Sequence, residues 1–285
     1  MEYAEAMSFL LEGINKEPIL SMWNEYTKFI EKPNIPFPNN IEFKFTLENP
    51  NGYTNDSSVS YIGDGKFEFF IRQKTMRNKV VMFHEFTHIM DLLVINKPED
   101  IDNFLKTYNA ISETRAEYLS YLFNAGLTNI SDEEVVPYNK ILAMEQDTVE
   151  NVILSRQKEM FDLFSMLEDI KSLDDTDLIN KLNLVLKGIQ YYLGFCLFIE
   201  YHTDISVNNE NILKKASQLF GDYIYNVFDI SDDISLSMDE TDMELANDYY
   251  NAFKICSVYF CSRLLPDIIK KNPKVIDMII SSIKI

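Results

Sequence analysis

The chain has 285 residues, 46% of them hydrophobic and 25% charged, with a formal net charge of −19. That is enough apolar material for one large domain or two closely packed ones. The acidity argues against nucleic acid and against anionic membrane surfaces as partners, since both need a basic footprint.

Taken in order, residues 2–31 carry apolar side chains at helical spacing, with Gly13 and the Glu17-Pro18 step as breaks and Pro18 opening a second helix. The N-terminus is acidic from Glu2 and has no basic start, so it does not read as a signal peptide. Three prolines between Pro33 and Pro38 make a loop. Ile41 to Leu47 alternates apolar and polar with period two, which predicts a half-buried strand. Ser57–Ile62 and Lys66–Arg72 read as two strands of a hairpin around Gly63-Asp64-Gly65. A helix from about Thr75 to Asn96 is expected next, closed by Lys97-Pro98. Residues 99–125 are helical as one element or two. In the two-helix version Ser112 caps a stretch Glu113–Ala125 that stops at Gly126.

From Ser131 onward no strand is expected, and 134–170, 175–202, 210–228 and 241–284 show helical spacing. The longest apolar run, Ile189–Ile199, is too short to span a bilayer. Cys196, Cys256 and Cys261 are odd in number and lack CxxC spacing, which predicts free buried thiols in a reducing, cytoplasmic setting. The fold class that follows is α+β, mostly α. A unit over 1–130 holds a small antiparallel or mixed sheet, and an all-helical part over 131–285 packs on it.

The chemistry concentrates in Val81-Met82-Phe83-His84-Glu85-Phe86-Thr87-His88-Ile89-Met90-Asp91. On a helix, His84 and His88 stack on one face, and Glu85 lies about 100° round from His84. The flanks are apolar on nearly every side, which marks a buried helix. Burying two imidazoles and a carboxylate without compensation costs several kcal/mol, by the usual cost of unsatisfied polar groups, and a metal ion removes that cost. His-Glu-x-x-His is the arrangement of zinc hydrolases. It resembles the active-site helix of the zincin metallopeptidases.

Catalytic zinc usually takes three protein ligands. Asp91 and Val94 stand where the extended metzincin motif has Gly and His, and His202 has no spacing argument in its favour. Ser112-Glu113-Thr114-Arg115-Ala116-Glu117 looks like the second zinc helix of the gluzincins, a group that includes thermolysin-like enzymes and the catalytic domain of anthrax lethal factor. The resemblance covers about residues 60–125. It implies that Glu113 is the third ligand and that Glu117 supports a ligand histidine. Asp91 competes for that supporting role, Glu117 could exchange roles with Glu113, and a plain surface pairing of both with Arg115 or lysines is the structural alternative.

By the same resemblance Zn2+ activates a water, Glu85 is the general base, and the substrate is a peptide or protein. The strand Lys66–Arg72 would be an edge strand able to hold that substrate by main-chain bonds. Tyr108, Tyr118, Tyr121 and His202 are candidates for the oxyanion donor. The competing functions are a narrowly regulatory protease and a helical interaction protein with a structural zinc site. The intact Glu85 speaks against the last, because a structural site needs no general base.

Overall fold

The computed structural model describes residues 16–46, 57–72, 75–94, 101–131, 148–168, 175–234 and 243–264, with 266 and 270. The protein is mostly helical, with one small mixed sheet. The chain forms two compact units, Met1–Lys97 with Leu119–Asp132, and Pro98–Tyr118 with Glu133–Ile285. The division is therefore not a single cut near residue 130, because Pro98–Tyr118 groups with the later helices while Leu119–Asp132 stays with the first unit.

The first unit holds helix α1 (Glu17–Phe29) and strands β1 (Ile41–Thr46), β2 (Ser57–Gly63) and β3 (Lys66–Arg72). Helix α2 (Lys79–Val94) follows. The strand order is β1-β3-β2, with β1 parallel and β2 antiparallel to β3. Asp64 and Gly65, the two residues between the hairpin ends, both have positive φ, 52° and 72°. A two-residue turn of the I′ kind requires that, and it explains the Asp-Gly pair. The Lys66–Arg72 strand is central, not an edge. The period-two pattern of β3 is the same for either place, and it is the parallel pairing of Ile41–Thr46 alongside it that covers the second side. Phe67, Phe69 and Ile71 point to one buried face, as their alternation requires.

Helix α2 begins where Asn78 caps it. The Asn78 Oδ1 accepts from the amides of Val80 at 3.1 Å and Val81 at 3.4 Å, and the Met82 amide donates to the Asn78 carbonyl. Phe83, Phe86, Thr87 and Met90 recur at helical spacing and are all at most 1% exposed. Phe83 packs edge-on against Tyr26, and Phe86 lies edge-on to Trp23 with ring centroids 5.3 Å apart. The Tyr26 hydroxyl donates to Thr87 Oγ1, which donates in turn to the Phe83 carbonyl. Phe69 of β3 also lies edge-on to Phe86, so helix and sheet share one aromatic core.

Helix α3 (Ile101–Asn124) is a single 24-residue element, and Ser112 lies in its interior rather than at a cap. The hydroxyl at a helix start and the hydroxyl in a helix interior look alike in sequence, and here the apolar spacing runs through. Gly126 (φ 79°) ends it in a Schellman arrangement. The Leu127 amide donates to the Leu122 carbonyl and the Gly126 amide to that of Phe123. Phe123 then packs at a tilt against Phe83 with 4.0 Å between centroids, and the Ile130 amide donates to the Phe29 carbonyl.

The second unit adds α4 (Val149–Glu168), α5 (Asp175–His202), α6 (Glu210–Phe220), α7 (Tyr223–Asp232) and α8 (Met243–Leu264). The helix expected over 210–228 is two helices, because Gly221 takes φ 67° and breaks the spiral. No strand occurs among the described residues of 131–285. Within α5, Leu178–His202 is long and apolar enough to cross a membrane, longer than the run visible by eye. Its most apolar window is 72% buried within the protein, as in a core helix. The three cysteines are free and buried, and burial pushes each thiol up to about 12.

Replacing the α2 cap tests how this helix is held. Asn78→Ala should lower stability by about 1 kcal/mol, while Asn78→Ser should restore most of it. Denaturant melts of the three proteins measure this, and equal midpoints would show that the cap contributes nothing.

Candidate metal centre

His84 and His88 sit one turn apart on α2, their ring centroids 4.9 Å apart and their planes at 80°. With Asp91 they line a face about 140° round from the Phe83–Phe86 face, so the aromatic packing fixes which way the imidazoles can point. His84 is 9% exposed, Glu85 7% and Asp91 3%, while His88 is half-buried, so the motif is largely but not wholly enclosed. Glu113 on α3 is 7% exposed. His84, His88 and Glu113 each offer one ligand atom, and these atoms all lie within 4.8 Å of one another. Two imidazoles and one carboxylate at that spacing can hold a metal ion.

The surroundings of Glu113 come from α5. Its Oε1 accepts from Lys187 Nζ at 2.8 Å. Burial alone would push that ammonium to lose its proton, but the charge of Glu113 and the Tyr191 hydroxyl outweigh burial and hold its pKa above the usual lysine value. The same lysine lies over the Tyr191 ring, 5.2 Å from its centroid. Burial first, and then the charge of Glu113, pushes the Tyr191 phenol far above its ordinary range, so it stays protonated. The surface pairing foreseen as an alternative for Glu113 is thus half right in partner and wrong in setting. The partner is a lysine, but the carboxylate is buried.

No family model, curated protein or solved structure matches this chain.

Of the four candidate oxyanion donors, Tyr118 and His202 are bonded to each other, the hydroxyl and Nε2 2.7 Å apart. Tyr108 accepts from Arg115 Nη1 at 2.7 Å and carries the guanidinium over its ring. Tyr121 is buried at 8% exposure. Arg115 is itself 3% exposed, so it is not a surface partner for Glu113 or Glu117.

The residues that sequence reasoning missed are Lys187, Tyr191 and Gly194, at i, i+4 and i+7 on one face of α5. A signal existed in the charges left inside a largely apolar stretch, Lys181, Lys187 and Glu200 being the charged residues of Leu178–His202. Gly194 explains how α5 comes so close to α3. A Cβ there would lie 2.5 Å from the Thr114 carbonyl oxygen, 2.9 Å from the Glu117 Cβ and 3.1 Å from the Tyr118 amide. Two of these three atoms are backbone, so the clash cannot be relieved by a side-chain rotation.

Gly194→Ala should therefore cost about 1–3 kcal/mol, the range for overpacking a tight contact. Against that stands the gain of up to about 1 kcal/mol that alanine normally brings to a helix interior. A thermal melt decides the sign, and an alanine variant as stable as the parent would show that the helices separate at no cost.

Proposed function

We propose that this chain is a zinc-dependent peptidase, with His84, His88 and Glu113 as metal ligands and Glu85 as general base. The observation that carries the reading is the gathering of those three ligand atoms within 4.8 Å, with a carboxylate adjacent in sequence to the first histidine. Three atoms so spaced can lie within about 2.8 Å of one point, and zinc–nitrogen and zinc–oxygen bonds are about 2.0–2.2 Å. Shifts of under about 1 Å per side chain would suffice. Imidazole donors favour a first-row transition ion over calcium or magnesium, which prefer all-oxygen sets. The likeness of His84-Glu85-x-x-His88 and Glu113-x-x-Ala-Glu117 to the gluzincin helices supports peptide-bond hydrolysis in particular.

When bound, zinc would supply Lewis acidity, polarising the scissile carbonyl and making water acidic enough to react at neutral pH. Glu85 would take the proton from that water and deliver it to the leaving amine. The substrate is a peptide or protein. Its seat is not the central strand β3, both of whose sides are paired. The buried free thiols support a reducing, cytoplasmic setting.

Three variants separate coordination from chemistry. His84→Ala and His88→Ala should each lose zinc, and the parent should lose it as pH falls through the imidazole range near 6.5. Glu85→Gln should keep fold and zinc and lower hydrolysis of a peptide library by ~10²–10⁴. Glu113→Gln should weaken zinc binding itself. Full zinc in the parent with no hydrolysis of any library peptide would instead support a structural metal site in a helical interaction protein.

A further inference from the structure

We infer that Lys187 is the standing counter-ion of the metal centre. It neutralises Glu113 in the metal-free protein and keeps the carboxylate in place, and a metal ion binds against its charge. This rests on the metal reading above and extends it to a residue outside the motif.

The argument begins with burial. A carboxylate 7% exposed is costly to keep ionised unless a charge or several hydrogen bonds compensate it. Lys187 supplies such a charge, with its ammonium 2.8 Å from one Glu113 oxygen. The ammonium is not placed by chance. Its stem leaves α5 four residues before Tyr191, whose ring lies under the charge, and seven before Gly194. At Gly194 the missing Cβ lets α5 come down on the Thr114–Tyr118 backbone. A carboxylate has two oxygens and about four lone-pair directions, whereas ammonium has donors only. Glu113 can therefore keep Lys187 on one oxygen and offer the other to a metal.

The sign of the effect on the metal then follows from Coulomb's law. A partner that accepts a proton from a ligand makes that ligand a better donor. An ammonium does the reverse, drawing charge from the carboxylate and repelling a divalent cation nearby. Lys187 thus trades metal affinity for a folded, preformed site in the metal's absence. The same charge would leave a bound ion more electron-poor, which favours acidifying water over holding the ion tightly.

The test uses the full chain and aqueous zinc, competed against a chromogenic chelator at pH 8, with thermal melts in the presence and absence of zinc. Lys187→Met should bind zinc more tightly than the parent, by roughly tenfold or more at the dielectric usual for a protein. It should also melt at a lower temperature when metal-free, so that zinc raises its midpoint by more than it raises the parent's. Lys187→Arg keeps the charge and should stay close to the parent in both measurements. Lys187→Gln keeps a hydrogen-bond donor without the charge and should follow Met. If the Met variant folds only with zinc, that too is the expected direction. An unchanged or weaker zinc affinity in both Met and Gln variants would overturn the assignment while leaving the metal centre intact. A parent chain that binds no zinc would overturn the metal centre and this role with it.

Discussion

The rest of the structure depends on one demand, that ionisable groups be carried on a helix with almost no access to water. Helix α2 is apolar nearly all round, yet it holds His84, Glu85 and Asp91 at exposures below a tenth. In such surroundings an uncompensated charge is worth several kcal/mol against folding. The neighbouring elements can be read as answers to that demand. The aromatic wall of Trp23, Tyr26, Phe29 and Phe69 fixes the rotation of α2 about its axis. Glu113 brings an anion to within reach of the imidazoles. Lys187 and Tyr191 then keep that anion acceptable in a buried place.

Such a centre differs from an ordinary buried ion pair. Replacing a buried pair by apolar groups of like volume is often neutral or stabilising, so a pair kept in a core invites the question of what else it does. Here the pair includes Glu113, which also stands in a group of side chains that could hold a metal ion. The proposed role of the metal answers that question, and it also accounts for why a helix as apolar as α5 retains a lysine at its middle.

Much of this was legible in the sequence, for physical reasons that can be named. Period-two alternation in Ile41–Thr46 and Lys66–Arg72 marked strands, and the Asp64-Gly65 pair marked the turn, because positive φ leaves few residues to choose from. The His84–His88 spacing needed only the helical repeat. What stayed hidden depends on partners distant in the chain. The parallel pairing of β1 with β3 leaves no mark in either strand, so nothing local corrected the edge position that the zincin resemblance implied for β3. Whether Ser112 capped a second helix or lay inside one stayed open, since only the neighbours of a hydroxyl distinguish a terminus from an interior. Lys187 stands 74 positions after Glu113, and no local pattern links a lysine on one helix to a glutamate on another.

The interleaved division of the chain has a consequence for how the protein is made. Phe123 completes the packing around Phe83 and Phe29, and the Ile130 amide satisfies the Phe29 carbonyl. Both belong to a segment that leaves the ribosome after residues 98–118, which group with the other unit. The apolar motif helix therefore leaves the ribosome before the last part of its own wall does. At about 5–20 residues per second that gap lasts a few seconds. During it an aromatic-faced helix is open to non-native contacts.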